Sequence, residues 1–166
     1  MDYNVSVIIP SYNRASFLER ALNSVFSQTY QPKEVFLIDN CSTDNTKEVV
    51  SKFKKLNYIF ERNKGVSFAR NRGIKLAKSS WIAFLDSDDE WLPNKLEKQI
   101  NLIQETKEKY NLIHTNEHWY RDGKYFNQSK KHIKKGGEIF EDCLKLCCIS
   151  PSSSLLRKDL FKKYGY

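Results

Sequence analysis

Apolar residues in this chain follow two rhythms, short unbroken runs and longer stretches with a helical repeat. Val5, Val7, Ile8 and Ile9 form a β-branched run that stops at Pro10, the pattern of a buried strand. Past the polar loop Ser11-Tyr12-Asn13-Arg14, residues Phe17, Leu18, Ala21, Leu22, Val25 and Phe26 recur at the spacing of an amphipathic helix. Pro32 separates that helix from a second run, Glu34–Asp39, which ends in a carboxylate. Ser42-Thr43-Asp44 carries N-cap chemistry for a helix bearing Val49, Val50 and Phe53. Asn57–Glu61 reads as a third strand, and Gly65 opens a helix with Val66, Ala69, Ile74, Leu76 and Ala77 as its apolar members. Ser80–Leu85 is the fourth strand. Pro93 suits the first turn of the next helix, with Leu96, Ile100, Leu102 and Ile103 on its buried side.

Leu112–Thr115 predicts a further strand, and Arg121-Asp122-Gly123 the turn of a hairpin. Beyond Gly123 the pattern loosens. Gly136-Gly137 precedes an amphipathic helix carrying Ile139, Phe140, Leu144 and Leu146, followed by Ser150-Pro151 and a short apolar segment, Ser154–Leu156. Strands alternating with helices predict an α/β fold with a mostly parallel sheet and helices on both faces. The 166 residues fit one domain.

The fourth strand carries the sharpest chemical signal. Trp81–Leu85 is apolar and gives way to Asp86, Asp88 and Asp89 within four positions. Carboxylates cannot be buried unpaired in a strand, so they mark its carboxyl end, where open α/β sheets place a ligand crevice. Asp86 and Asp88 suit a hard divalent cation shared with a phosphate-bearing substrate. A carboxylate-capped turn would explain one acid well and three poorly. Asp39, ending the second strand, is placed to accept hydrogen bonds from a base or a ribose hydroxyl. The exit of the first strand, Pro10–Arg14, brings backbone N–H groups to the same crevice. Arg70, early in its helix, can reach a diphosphate as a cationic clamp, with Lys64 or Arg72 as alternatives. Neither dinucleotide-binding nor P-loop glycine patterns occur, which argues against a dehydrogenase and a P-loop nucleotidase.

The net charge of +8 gathers in Lys52–Lys55, Lys130–Lys135 and Arg157–Lys163. Such clusters attract polyanions, either a phosphorylated substrate or an anionic membrane surface. No nucleic-acid-binding pattern accompanies them, so no nucleic acid partner is expected. No apolar run approaches the ~20 residues that span a bilayer. The N-terminus lacks the basic and apolar segments of a secretory signal, so a cytoplasmic location is expected. Cys41, Cys143, Cys147 and Cys148 read as buried or half-buried free thiols rather than a disulfide framework or a zinc site.

Taken together and in order, Val5–Asn13, Ile38–Asp44, Ala69–Gly73 and Leu85–Asp89 resemble the nucleotide-sugar-binding half of a family 2 glycosyltransferase. The resemblance implies the GT-A fold, a Rossmann-like αβα sandwich, and an inverting transferase with a nucleoside diphosphate sugar donor. That donor is usually a uridine diphosphate sugar, used with Mn²⁺ or Mg²⁺. Carried over by position, Pro10, Tyr12 and Asp39 line the base and ribose pocket, and Asn13, Asn40 and Ser87 complete the donor site. Arg70 lies near the phosphates. Asp86 approaches the ribose or sugar, and Asp88 is the direct metal ligand with Asp86 beside it. The family often carries Asp where this chain has Asn40, which removes one charge near the nucleoside.

The implied acceptor is a glycan or lipid-linked sugar of surface polysaccharide synthesis, handled at the inner face of the membrane. The donor-binding part is expected over about 1–123 and the start of the acceptor part over about 124–166. In such enzymes a later acidic motif supplies the general base. Here that motif is expected beyond Tyr166, so the chain reads as a C-terminally truncated part of a longer enzyme. Two rival readings use the same residues. A non-catalytic nucleotide-sugar- or glycan-binding module would bind without turnover. A nucleotidyltransferase would share the strand-end acids and metal, but needs a glycine-rich basic loop that Ser11–Arg14 does not provide.

Overall fold

The computed structural model describes residues 3–126 and 129–166, with the Lys131 side chain of the basic run lying outside the described set. In chain order the elements are β1 (Val5–Ser11), α1 (Ala15–Phe26), β2 (Glu34–Asp39), α2 (Thr46–Ser51) and β3 (Asn57–Phe60). They continue with α3 (Val66–Leu76), β4 (Trp81–Phe84), α4 (Lys95–Glu105), β5 (Leu112–His114), and the β6 (Trp119–Arg121) and β7 (Lys124–Phe126) hairpin. Last come α5 (Phe140–Lys145), β8 (Ser154–Arg157) and α6 (Asp159–Tyr164). Six strands form one sheet in the order β3-β2-β1-β4-β8-β5. The first four are mutually parallel, while β8 runs antiparallel to both its neighbours.

The α/β architecture expected from the pattern is therefore present, with helices on both faces. The segment Ser154–Leu156 is more than a short apolar stretch, because it inserts as an interior strand between β4 and β5. So short a run carries too little periodicity to declare a partner.

Strand residues alternate between two apolar faces, as a sheet covered on both sides requires. Val7, Ile9, Leu37, Ala83 and Leu85 belong to the core that Leu18, Leu22, Leu96 and Ile100 of α1 and α4 complete. Ile8, Phe36, Ile38, Ile82 and Phe84 belong to the other, completed by Ala69, Ile74 and Ala77 beside or within α3. Each fully buried aliphatic side chain is worth about 1.5–3 kcal/mol. The close approach of α3 to β1 is set at Gly73, where a Cβ would lie 2.5 Å from Ile8 Cγ2.

Some expected burial is not observed. Leu102 is exposed because the buried stripe of α4 is Leu96, Ile100 and Ile103, about a third of a turn away. Phe140 and Leu144 of α5 share one helix face and are both exposed. Cys143 and Cys147 are likewise exposed rather than buried, and Cys41 and Cys148 are half-buried; all four are free.

The amino end of the sheet is pinned by Glu34. Its Oε2 accepts hydrogen bonds from Ser6 Oγ at 2.5 Å, the Lys78 N–H at 2.8 Å and Ser79 Oγ at 3.4 Å. Partial burial raises the pKa of this carboxyl, but the hydrogen bonds outweigh burial and hold it below its ordinary value. A depressed folded pKa means stabilisation that is complete above the unfolded value and lost as pH falls through the folded one. Urea denaturation of Glu34→Gln at pH 7 should show a loss of about 1–2 kcal/mol. The two proteins should converge in acid, below the ordinary glutamate range. Coincident curves at pH 7 would contradict the pin.

Candidate functional site

At the carboxyl end the chain reverses strand order. From β1 it moves outward through β2 and β3, then returns to β4 on the other side of β1. The resulting switch point, with α1 and α3 on opposite faces, is where open α/β sheets open a crevice. A cavity of about 470 Å³ lies there. The β1 exit supplies Pro10, Ser11, Tyr12 and Arg14, and the β2 exit supplies Asn40. The start of α3 contributes Lys64, Gly65, Ala69 and Arg70, and the turn after β4 contributes Asp86, Ser87 and Asp88.

Two loops forming the rim are stitched together. Asn40 N–H donates to Ser11 O at 2.8 Å, Asn13 N–H to Ser42 Oγ at 3.0 Å, and Thr43 N–H to Asn13 Oδ1 at 2.8 Å. Asp44 accepts from the Ala15 and Thr46 N–H groups at 2.9 and 3.1 Å, tying the starts of α1 and α2 together. Asn13 and Cys41 both adopt positive φ, at 51° and 69°. Asn tolerates that region, whereas Cys41 stores strain at the rim.

Asn40 is 6% exposed and fully engaged. Its Nδ2 donates to Glu61 O at 3.2 Å and to Asn63 O at 2.7 Å, while Oδ1 accepts the Gly65 N–H at 2.6 Å. Two carbonyls and one N–H fix which end of the amide faces which. The side chain fastens the β2 exit to the loop that opens α3. Asn at this position lacks the charge of an Asp, as expected, and adds a donor pair that no carboxylate can supply.

Arg70 Nη2 meets Asp86 Oδ1 at 2.6 Å, with both side chains partly buried and the guanidinium 6.0 Å from the Phe84 ring centroid. Arg70 Nε and Ser11 Oγ are buried at this cavity with no protein partner among the described residues. Unmatched buried polar atoms cost about 1–3 kcal/mol each. Asp89 behaves differently. The residue is exposed, but its carboxylate turns inward to Ser152 Oγ at 2.5 Å. Burial of that carboxylate, then repulsion from Asp86, Asp88 and Glu117, raises its pKa against the Ser152 hydrogen bond.

Of the residues expected at the site, Pro10, Tyr12, Asn40, Arg70, Asp86, Ser87 and Asp88 meet on one cavity wall. Lys64 joins them and Arg72 does not. Asn13 and Asp39 stand outside the lining. The Asn13 side chain is spent on Thr43, and Asp39 is 1% exposed beneath the rim. There it accepts from the Tyr58 hydroxyl at 2.5 Å and the Ser42 N–H at 2.9 Å. Burial and the neighbouring Asp39 push the Tyr58 phenol well above its usual value. The sequence places Arg14 in the loop at the crevice without singling out its side chain, and gives no signal for Ser152, far along the chain.

Among the described residues no three His, Cys, Asp or Glu side chains converge as a complete metal cage. Among the described residues, the carboxylates lining the cavity are Asp86 and Asp88. That donor set fits a hard divalent ion completed by phosphate and water oxygens, since such ions take six or more oxygen ligands.

The sequence model of glycosyl transferase family 2 matches residues 6–165. The chain belongs to that family. A relative from Nostoc, an uncharacterized glycosyltransferase, is 32% identical over 96% of this chain and 52% of its own length. The putative teichuronic acid biosynthesis glycosyltransferase TuaG of Bacillus subtilis is 39% identical over 61% of this chain and 42% of its own. Equal identity and coverage relate the chain to the Escherichia coli glucosyltransferase WfgD. The chain spans about half, or less, of the length of these relatives. Among solved structures, Staphylococcus aureus TarS superposes with a TM-score of 0.79 at 25% identity, over 96% of this chain and 48% of TarS. The mannosyltransferase PcManGT of Pyrobaculum calidifontis, at 19% identity and a TM-score of 0.71 over 98% of this chain and 46% of its own, shares the fold. The architecture is that of GT-A glycosyltransferases.

Asn40→Asp tests the clamp at the rim of this family 2 cavity. Replacing two buried donors by acceptors facing carbonyls should destabilise the fold by about 1–3 kcal/mol at pH 7. An unchanged thermal midpoint would show that the amide is dispensable.

Proposed function

We propose that this chain is the donor-binding part of an inverting glycosyltransferase that takes a uridine diphosphate sugar and passes the sugar to a glycan or lipid-linked acceptor. The carrying observation is the cavity at the switch point. It gathers the cations Arg14, Lys64 and Arg70 with the carboxylates of Asp86 and Asp88 at the carboxyl end of the sheet. The relatives support the reading. TarS has been solved with UDP and with UDP-GlcNAc, and PcManGT with GDP-Man and Mn²⁺. WfgD is named for glucosyl transfer from UDP-Glc to a GlcNAc-diphosphoundecaprenol.

Tyr12, 53% exposed, offers its ring as a platform for the base beside the rigid Pro10. Asp39 and Asn13 act from beneath and behind that platform, holding the loops against which the nucleoside rests. Arg70 and Lys64 neutralise diphosphate oxygens, with Arg70 oriented by Asp86 and Ser87 closing the wall. Asp88, with Asp86, would hold Mn²⁺ or Mg²⁺, which when bound helps neutralise the departing diphosphate. In the displacement an acceptor hydroxyl oxygen bonds to the anomeric carbon while the bond to the diphosphate oxygen breaks, inverting that carbon. The electron pair leaves on the diphosphate. The acceptor proton passes to a general base to which no residue of this cavity is assigned.

Calorimetry with UDP in the presence and absence of Mn²⁺ tests the reading. The wild type should bind more tightly with Mn²⁺, and Asp88→Ala should lose most of that gain, on the order of tenfold or more. Equal affinity with and without the ion in the wild type would remove the metal–diphosphate assignment.

A second surface bears on a lipid-linked acceptor. Tyr120, Phe126, Ile133, Phe140 and Leu144 are exposed between β6 and α5, interleaved with the exposed Lys124, Lys130 and Lys145. Apolar side chains flanked by lysines suit the interface of an anionic membrane. No helix of the described residues is long and apolar enough to cross one. Flotation with phosphatidylglycerol vesicles should show binding that weakens with salt and with Phe140→Ser. Absence of binding to these vesicles at low salt would rule this surface out as a membrane contact.

A further inference from the structure

We propose that Ser152 is a positioning residue for the acidic turn, holding the backbone around Asp88 in the form that binds a metal–diphosphate. The proposal rests on the reading of Asp86 and Asp88 given above. Its basis is the fate of one backbone donor. Leu85 N–H still reaches Ile8 O of β1, at 3.1 Å. The ladder between β4 and β8 has its last pair at Ala83 and Leu155. The Asp86 N–H is therefore past the sheet, in a half-buried position where a missing partner is costly. It donates to Ser152 Oγ at 3.0 Å, across 66 positions of sequence.

The same hydroxyl gives its own proton to Asp89 Oδ2. A serine hydroxyl has one donor and two acceptor sites, and here it serves both ends of a single turn. Asp89 N–H closes that turn by donating to Asp86 O at 3.0 Å. Asp88 sits inside the closed loop. Asp89, drawn inward by Ser152, does not line the cavity, so Asp86 and Asp88 are the carboxylates left on its wall.

Ser152 is itself fixed. Its carbonyl accepts Trp91 Nε1 at 2.8 Å, and the next carbonyl, of Ser153, accepts Gln99 Nε2 at 3.0 Å and the Thr115 N–H at 3.2 Å. Lys95 braces both donors from α4. Its Nζ lies 2.9 Å from Gln99 Oε1 and 4.0 Å from the centroid of the Trp91 ring. Ser152, Trp91, Lys95 and Gln99 are all buried, so water does not replace these bonds. The arrangement runs from α4 through Trp91 to the Ser152 carbonyl and through Gln99 to that of Ser153, and from Ser152 Oγ to the Asp86 N–H and the Asp89 carboxylate.

The test separates positioning from general support of the fold. UDP binding to the wild type, Ser152→Ala and Trp91→Phe is measured by calorimetry with and without Mn²⁺. Metal-free affinity, which reads the base end of the cavity, should stay within about twofold, while the Mn²⁺-dependent gain should fall about tenfold in Ser152→Ala. Trp91→Phe keeps an aromatic side chain but loses the donor, should lose part of the same gain, and carries the test alone if Ser152→Ala does not fold. A folded variant that keeps the full gain overturns the role of Ser152. A wild type with no Mn²⁺-dependent gain instead overturns the reading of Asp86 and Asp88 on which it rests.

Discussion

Burial of β1 on both faces, with hydrogen-bonded neighbours on both edges, leaves no place for an ionised group along its length. Desolvating one unpaired carboxylate would cost several kcal/mol, comparable to much of the stability of a domain this size. Val5, Val7, Ile8 and Ile9 are accordingly inaccessible to solvent, and Ser6 is admitted with its hydroxyl donating to Glu34 and accepting the Ser79 N–H. Charge is displaced to the two ends of the sheet. At the amino end it becomes a structural pin, and at the carboxyl end it becomes the wall of a cavity. The site is thus a by-product of the rule that keeps the core dry.

Five aspartates cluster near that carboxyl end, and their partners separate their roles. Asp39 is held by Tyr58 and the Ser42 amide, Asp44 by Ala15 and Thr46, and Asp89 by Ser152. These three stabilise loops. Asp86 faces Arg70, which keeps a cation and an anion together at the mouth of α3. Asp88 stands exposed on the wall. Identical side chains are distinguished here by which donors reach them, so type and spacing alone do not assign them.

Much of this is legible in the sequence. β1, β2, α1 and α3 announce themselves by long apolar runs or a clear helical repeat, and the acids after Leu85 mark a strand end by the cost of burying them. The strand character of Ser154–Arg157 was not legible, because four residues give no period and their antiparallel neighbours lie about 40 and 70 positions earlier. The clamp made by Asn40 is not legible beyond its missing charge, since the two carbonyls it serves come from the loop after β3. Ser152 was invisible for the same reason. A serine in a polar turn is an ordinary turn residue until the distant amide that needs it is known.

The position of β8 has a consequence for the order in which the molecule can assemble. β4 is completed by residue 84, yet its outer edge stays unpaired until residues 154–157 exist, and β5 has no other neighbour in the sheet. A chain emerging from the ribosome therefore carries an open strand edge through some 70 residues of synthesis, the kind of edge that invites wrong partners. The segment that seals it also delivers Ser152 to the turn after β4. Closure of the sheet and completion of the acidic turn are then one event, and it comes late.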